Sequence, residues 1–139
     1  MEVRTYREQV RTQGESAVLD ITSLAEHALS SSGLKAGILN VFVPGSTAGV
    51  TTIEYESGAV GDLRAAIERL VPKSAHYEHD KRWGDGNGYS HVRAALLKAG
   101  LAIPFQGGQL LLGTWQQLVL IDFDNRPRNR EVIFQLVGV

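Results

Sequence analysis

Residues 101–137 read LAIPFQGGQLLLGTWQQLVLIDFDNRPRNREVIFQLV. Four short runs within it are rich in Leu, Val, Ile and Phe: Leu101 to Phe105, Gln109 to Leu112, Gln117 to Phe123 and Glu131 to Val137. Such residues suit a pleated, half-buried surface. Gly107-Gly108 and Asn125-Arg126-Pro127 interrupt the runs, and these residues favour turns. The segment therefore predicts a β meander at the C-terminal end of the chain.

Working back toward the N-terminus, the pattern becomes mixed. Val3 to Val10 alternates loosely and Ser16 to Ile21 is short and apolar, so both predict strands, with Gln13-Gly14 as the turn. Ser23-Leu24-Ala25-Glu26 has the form of a capping box, in which the Ser and Glu side chains satisfy free N–H groups at a helix start. The helix that follows stops near Gly33. Ala36 to Val43 and Gly49 to Glu56 predict two more strands, the first of them buried. Val60, Leu63, Ile67, Leu70 and Val71 recur at helical spacing, and Pro72 ends that helix. Val92, Ala95, Leu96 and Ala99 predict a short helix closed by Gly100. The order, ββαββαα followed by strands, predicts an α+β fold: two layers of mostly antiparallel sheet with two to three helices, in one domain spanning 1–139. So many strands in a short chain leave apolar faces and edges, and oligomerisation is one way to cover them.

Composition excludes several classes of function. Fourteen basic residues oppose 15 acidic ones, a formal charge of −1, so no strong field points to nucleic acid or an anionic membrane. There is no cysteine, which removes disulfides, thiolate nucleophiles and Cys-type zinc sites. No apolar run approaches the roughly 20 residues of a membrane span, and MEVRTYREQV is not a signal peptide. A cytoplasmic protein is expected.

Residues 77–97, YEHDKRWGDGNGYSHVRAALL, concentrate the polar chemistry. His79 and His91 lie twelve positions apart across a Gly-rich turn. Imidazole ligates zinc and similar ions, and Glu54, Glu56, Asp80 and Asp85 are candidate carboxylate partners. The spacing matches no short metal motif, and two surface or hydrogen-bonded histidines are the ordinary alternative. Pro44-Gly45-Ser46-Thr47-Ala48-Gly49 places small residues and two hydroxyls between two strands, which suits either an anion nest or a tight loop. It is not a P-loop, since no Lys follows the second Gly, and Gly84 to Gly88 is not a dinucleotide fingerprint. Arg82 and Arg93 flank the histidines and can fork onto phosphate or pair with Asp80, Asp85 or Glu78. Arg126, Arg128 and Arg130 alternate at the last turn, which reads as solvated. His27 and His76 receive no role.

Taken together, Ser46-Thr47-Ala48 through Glu54, Tyr77-x-His79-Asp80, Ser90-His91-Val92-Arg93 and Leu112-Gly113-Thr114-Trp115-Gln116 resemble the YjbQ-like family, often labelled secondary thiamine-phosphate synthase. The resemblance covers nearly all of the chain after Gly33. It implies a two-layer α+β homotrimer and an activity joining a pyrimidine pyrophosphate to a thiazole phosphate. It implies His91, His79 and Glu54 as catalytic residues. Ser46, Thr47, Arg82, Arg93, Thr114 and Gln116 would hold a phosphorylated small molecule. A divalent metal, Mg²⁺ or Zn²⁺, would sit on His79, His91 and Asp80, with Glu54 sharing Mg²⁺ with Asp80. Trp115 or Tyr89 would stack on a ring or pack in the core. Many members carry a histidine where this chain has Gly45, which leaves that ligand position to Glu54, Glu56, Asp80 or water, or leaves the site metal-free. Two other functions are expected to leave the same cluster: a trimeric protein that binds a phosphorylated metabolite or metal without turnover, and a metal-dependent phosphate-ester hydrolase.

Overall fold

β7, Gln117–Asp122, is the strand around which the rest is built. Leu118 and Leu120 face one way, Val119 and Ile121 the other, and all four are fully buried. A strand buried on both faces needs a layer on each side. The computed structural model, which describes residues 1–139, shows those layers. β7 lies at the centre of a three-stranded antiparallel sheet between β2, Ala17–Asp20, and β4, Ala48–Ile53.

On one side is a five-stranded antiparallel sheet. Its order is β1 (Glu2–Thr12), β8 (Arg128–Gly138), β3 (Ala36–Phe42), β5 (Gly100–Gln106) and β6 (Gln109–Leu110). Leu39, Val41, Ile103, Phe105, Phe134 and Leu136 from this sheet pack against Leu118, Leu120 and Val50 of the other. Helix α1, Thr22–Ser32, closes that core with Ala25, Ala28 and Leu29. On the other side of β7, Val119, Ile121 and Phe123 pack with Val60, Leu63 and Ile67 of α2 (Ser57–Leu70) and with Ala94 and Leu97 of α4 (Gly88–Leu97). A six-residue helix α3, Glu78–Trp83, precedes α4. None of these helices is long and apolar enough to cross a membrane.

The α+β class and antiparallel pairing match the sequence expectation. Three details differ. There are four helices rather than two to three, because α3 forms inside the presumed loop and α4 begins at Gly88 instead of Val92. The C-terminal strands are not a meander: only β5 and β6 pair in sequence, β7 leaves for the small sheet, and β8 returns between β1 and β3. The capping box at Ser23 is not used. Asp20 accepts from the Thr22 N–H and hydroxyl instead, at 2.9 and 2.6 Å, starting the helix earlier. Gly33 does end α1 in the left-handed conformation, with φ 70°.

Candidate functional site

Asp122 and Asp124 bracket Phe123 at the end of β7, and Arg128 and Arg130 stand at the start of β8. Period-two alternation puts each pair on one face. Asp122 continues the buried Leu118–Leu120 face, so its carboxylate enters the space between the sheets. There Arg130 meets it with two donors, Nε to Oδ2 at 2.7 Å and Nη2 to Oδ1 at 2.9 Å. The Thr12 hydroxyl adds a third donor at 2.5 Å. Burial by itself raises the Asp122 pKa, but these donors outweigh it and hold the carboxyl below the usual range. Asp124 behaves alike: burial raises it, while donors from the Asn125 N–H, Asn87 and Thr47, together with the Arg128 charge, bring it down.

This network ties the last turn to the 44–49 loop. Thr47 Oγ1 accepts from Arg130 Nη2 at 2.6 Å and donates to Asp124 at 3.1 Å. Arg128 Nη1 donates to Asp124 at 2.8 Å. Above the network opens a cleft of about 370 Å³ whose walls include Ser46, His79, Asp85, His91, Arg126 and Arg128. Arg128 and Arg130 are matched by Asp124 and Asp122; Arg126 is exposed and has no carboxylate partner.

The opposite wall comes from the α3–α4 corner. Gly84, at φ 69°, ends α3 in the left-handed region, and the chain turns back into α4. Asp80 Oδ1 accepts the Gly88 N–H at 2.8 Å and fastens the second helix to the first. Ser90 donates to the Phe123 carbonyl at 2.5 Å, anchoring α4 on β7. The result places the His79 and His91 rings 4.3 Å apart, tilted by 40°. Burial, and then the neighbouring His79, push the His91 pKa down, against the pull of Asp124, Asp85 and Asp80. His91 is therefore neutral at pH 7.

Ligand atoms of His79, Asp80 and Asp85 lie within 4.8 Å of one another. One nitrogen and two carboxylates fit a divalent cation, Zn²⁺ or Mg²⁺. His91 is outside this group, and Asp85 takes the place the sequence reading gave it.

The remaining expected residues separate. Arg93 is buried and internally committed: it donates to the Val71 carbonyl and Ser16 hydroxyl, both at 3.0 Å, pairs with Glu68 and stacks on Tyr89 at 4.9 Å. Each of its three nitrogens is engaged within the chain and its side chain is only 6% exposed, so it lies away from the cleft. Tyr89, 1% exposed, is core. Arg82 is exposed and lies over the Trp83 ring, outside the cleft. Glu54, Thr114 and Gln116 sit at the far end of β4 and β7, where Gln116 donates to Thr52 at 3.2 Å. Seven residues of extended chain separate Glu54 from Thr47, about 20 Å at the rise of a strand. Glu54 therefore cannot share an ion with Asp80 in one chain. Trp115 is exposed beside this second group. Asn87, Asp122, Asp124 and the arginine turn were not singled out as a site from sequence. The signal was present in DFDNRPRNR, where acids and arginines alternate with the same period on either side of one turn.

Residues 6–139 match the family described as UPF0047 protein YjbQ-like. A UPF0047 protein of Methanothermobacter thermautotrophicus is 38% identical over 138 residues, covering 99% of this chain and 94% of that protein. The UPF0047 protein YugU of Bacillus subtilis is 29% identical over 131 residues, covering 94% of this chain and 96% of that protein. Among solved structures, a YbjQ-like protein of Sulfolobus solfataricus superimposes with a TM-score of 0.89 at 28% identity, covering 99% of this chain and 100% of that one. A hypothetical protein of Aeropyrum pernix gives 0.88 at 32% identity over the whole of both chains. The chain belongs to the YjbQ-like UPF0047 family.

Proposed function

We propose that this member of the YjbQ-like family is a thiamine-phosphate synthase-like transferase, joining a pyrimidine pyrophosphate to a thiazole phosphate, and that it works as a homotrimer. The observation that carries the reading is the composition of one cleft. Arg126 and Arg128, the His79–His91 pair and Ser46, whose hydroxyl makes no hydrogen bond within the chain, all line it. In the reaction the thiazole nitrogen attacks the methylene carbon as the C–O bond to pyrophosphate breaks. Charge accumulates on the departing pyrophosphate, and guanidinium groups at the cleft stabilise it, with least reorganisation where one is already held in place. Arg128 is held by Asp124, and Arg126 brings the charge no carboxylate cancels. A neutral His91 can accept a proton at one ring nitrogen and donate at the other. A divalent ion on His79, Asp80 and Asp85, when bound, would supply further charge neutralisation at the pyrophosphate.

The test is thiamine phosphate formation by the pure protein from both substrates with Mg²⁺, beside His91→Ala. Product that falls at least a hundredfold in the variant is the expected result. Equal rates would remove His91 from the mechanism, and no product from the folded protein would overturn the transferase reading. The His79–Asp80–Asp85 group favours a second reading, a metal-dependent phosphate-ester hydrolase. Release of inorganic phosphate from phosphate esters that requires added Zn²⁺ or Mn²⁺ would support it. Saturable binding of a phosphorylated metabolite with no turnover in either assay would leave a binding protein.

A further inference from the structure

We propose that the polar cleft and a smaller cleft on the other side of His91 form one bipartite ligand site, taking a phosphate or pyrophosphate group on the arginine side and a compact uncharged ring on the other. The inference rests on the phosphate reading above and deepens it by naming the shape of the substrate.

The smaller cleft, about 240 Å³, is walled by Ala48, Ala94, Ala95 and Ala99, with Lys98 as its one charged member. It shares Gly45, Ser46 and His91 with the polar cleft. His91, Ala94, Ala95 and Lys98 stand at i, i+3, i+4 and i+7, so a single face of α4 supplies this wall. Alanine is the smallest side chain that keeps a helix, and two of them next to His91 leave a recess where larger residues would fill it. The recess exceeds the roughly 150 Å³ that holds a benzene ring. An inorganic anion would have no use for it.

The join between the halves is built around Gly45. Arg130 is buried, its side chain 4% exposed. Its Nε and Nη2 are bonded to Asp122 and Thr47, while Nη1 makes no hydrogen bond within the chain. A Cβ at position 45 would lie 3.2 Å from that Nη1. Glycine here, at φ 126°, therefore leaves an opening through which a fixed guanidinium nitrogen reaches the shared rim. Nη1 keeps contact with solvent at this edge, and a phosphate oxygen beside Gly45 and Ser46 can accept from it as a charge-assisted hydrogen bond. A ligand whose phosphate sits there has its attached carbon beside His91 and its ring among the alanines.

Calorimetric titration of the intact protein with inorganic phosphate and with benzyl phosphate tests this, in wild type, Ala95→Leu and Arg126→Gln. Both positions are exposed, so neither change disturbs the core. Benzyl phosphate is expected to bind at least tenfold tighter than phosphate. Ala95→Leu should abolish that difference and leave phosphate affinity within twofold. Arg126→Gln should weaken both ligands severalfold. Equal affinities in wild type, or an Ala95→Leu variant that keeps the difference, would overturn the bipartite site while the phosphate reading stands. Full affinity in Arg126→Gln would place the phosphate elsewhere and overturn it too. Failure of phosphate to bind wild type would overturn both.

Discussion

Asp122 is fully buried, yet it is charged, because Arg130, Thr12 and the Asp124 N–H together satisfy it. Breaking a buried pair by deleting one partner leaves an uncompensated charge, which costs about 3–5 kcal/mol. Asp122→Ala should lose that much in urea unfolding at pH 7. The pH dependence follows from the depressed pKa. A carboxyl titrating lower in the folded state contributes fully above its unfolded value, about 3.9, and loses that contribution as pH falls through the folded value. Wild type should therefore weaken steeply below about pH 4, and the variant less so. His91 loses stability in the same direction but at higher pH, because its charged form is disfavoured in the folded state rather than its neutral form. Its depressed imidazole pKa means the folded state resists protonation, so stability is complete above about pH 6.5 and declines as acidification proceeds toward the folded value. His91→Gln should flatten the fall in melting temperature as the pH drops below about 6.5. A variant that tracks wild type through that range would show that His91 titrates normally.

The α3–α4 corner controls how the two histidines meet. Gly88 packs so closely that a Cβ would lie 2.6 Å from the Tyr77 Cβ and 3.0 Å from Asp80 Oδ1. Gly88→Ala must push the helices apart, an overpacking cost of about 1–3 kcal/mol. Unfolding stability and phosphate affinity should fall together. A destabilised variant with unchanged phosphate affinity would separate the corner from the site. How legible these elements were follows from the range of the forces that form them. β7 and α2 declare themselves through apolar period, which is local. α3 does not, because its six residues bury nothing and depend on Asp80 and the turn at Gly84. The strand order was hidden for a similar reason: β7 and β8 read as neighbours, but double-sided burial of β7 draws it into a different sheet. His79 and Ser46 were visible as chemistry, whereas Arg93 misled because its partners, Glu68, Ser16 and Val71, lie 22 or more positions away or on other elements.

The outer face of the five-stranded sheet carries no layer. Register places Val3 opposite Val137, Val137 opposite Ile38, and Ile38 opposite Pro104, an apolar row across four strands. Val3, Ile38 and Val137 are 56%, 53% and 40% exposed. Contiguous apolar rows on a sheet mark contact surfaces, and the proposed homotrimer would cover this one. Such an assembly also bears on the divided site. A ring of protomers joins one surface to a different surface of the next, so the Glu54, Thr114 and Gln116 end of one chain can approach the histidine cleft of its neighbour, although the two are about 20 Å apart along β4 within a chain. Ile38→Asp with Val137→Asp places two charges in the row without touching either core. Light scattering should then report a mass near that of one chain, 15.1 kDa, in place of three. Far-UV circular dichroism should be unchanged, and thiamine phosphate formation should fall if the Glu54 end of one chain serves the cleft of its neighbour. A doubly substituted protein that remains trimeric would put the interface elsewhere. A folded monomer with full activity would confine the chemistry to the His79–His91 cleft of a single chain.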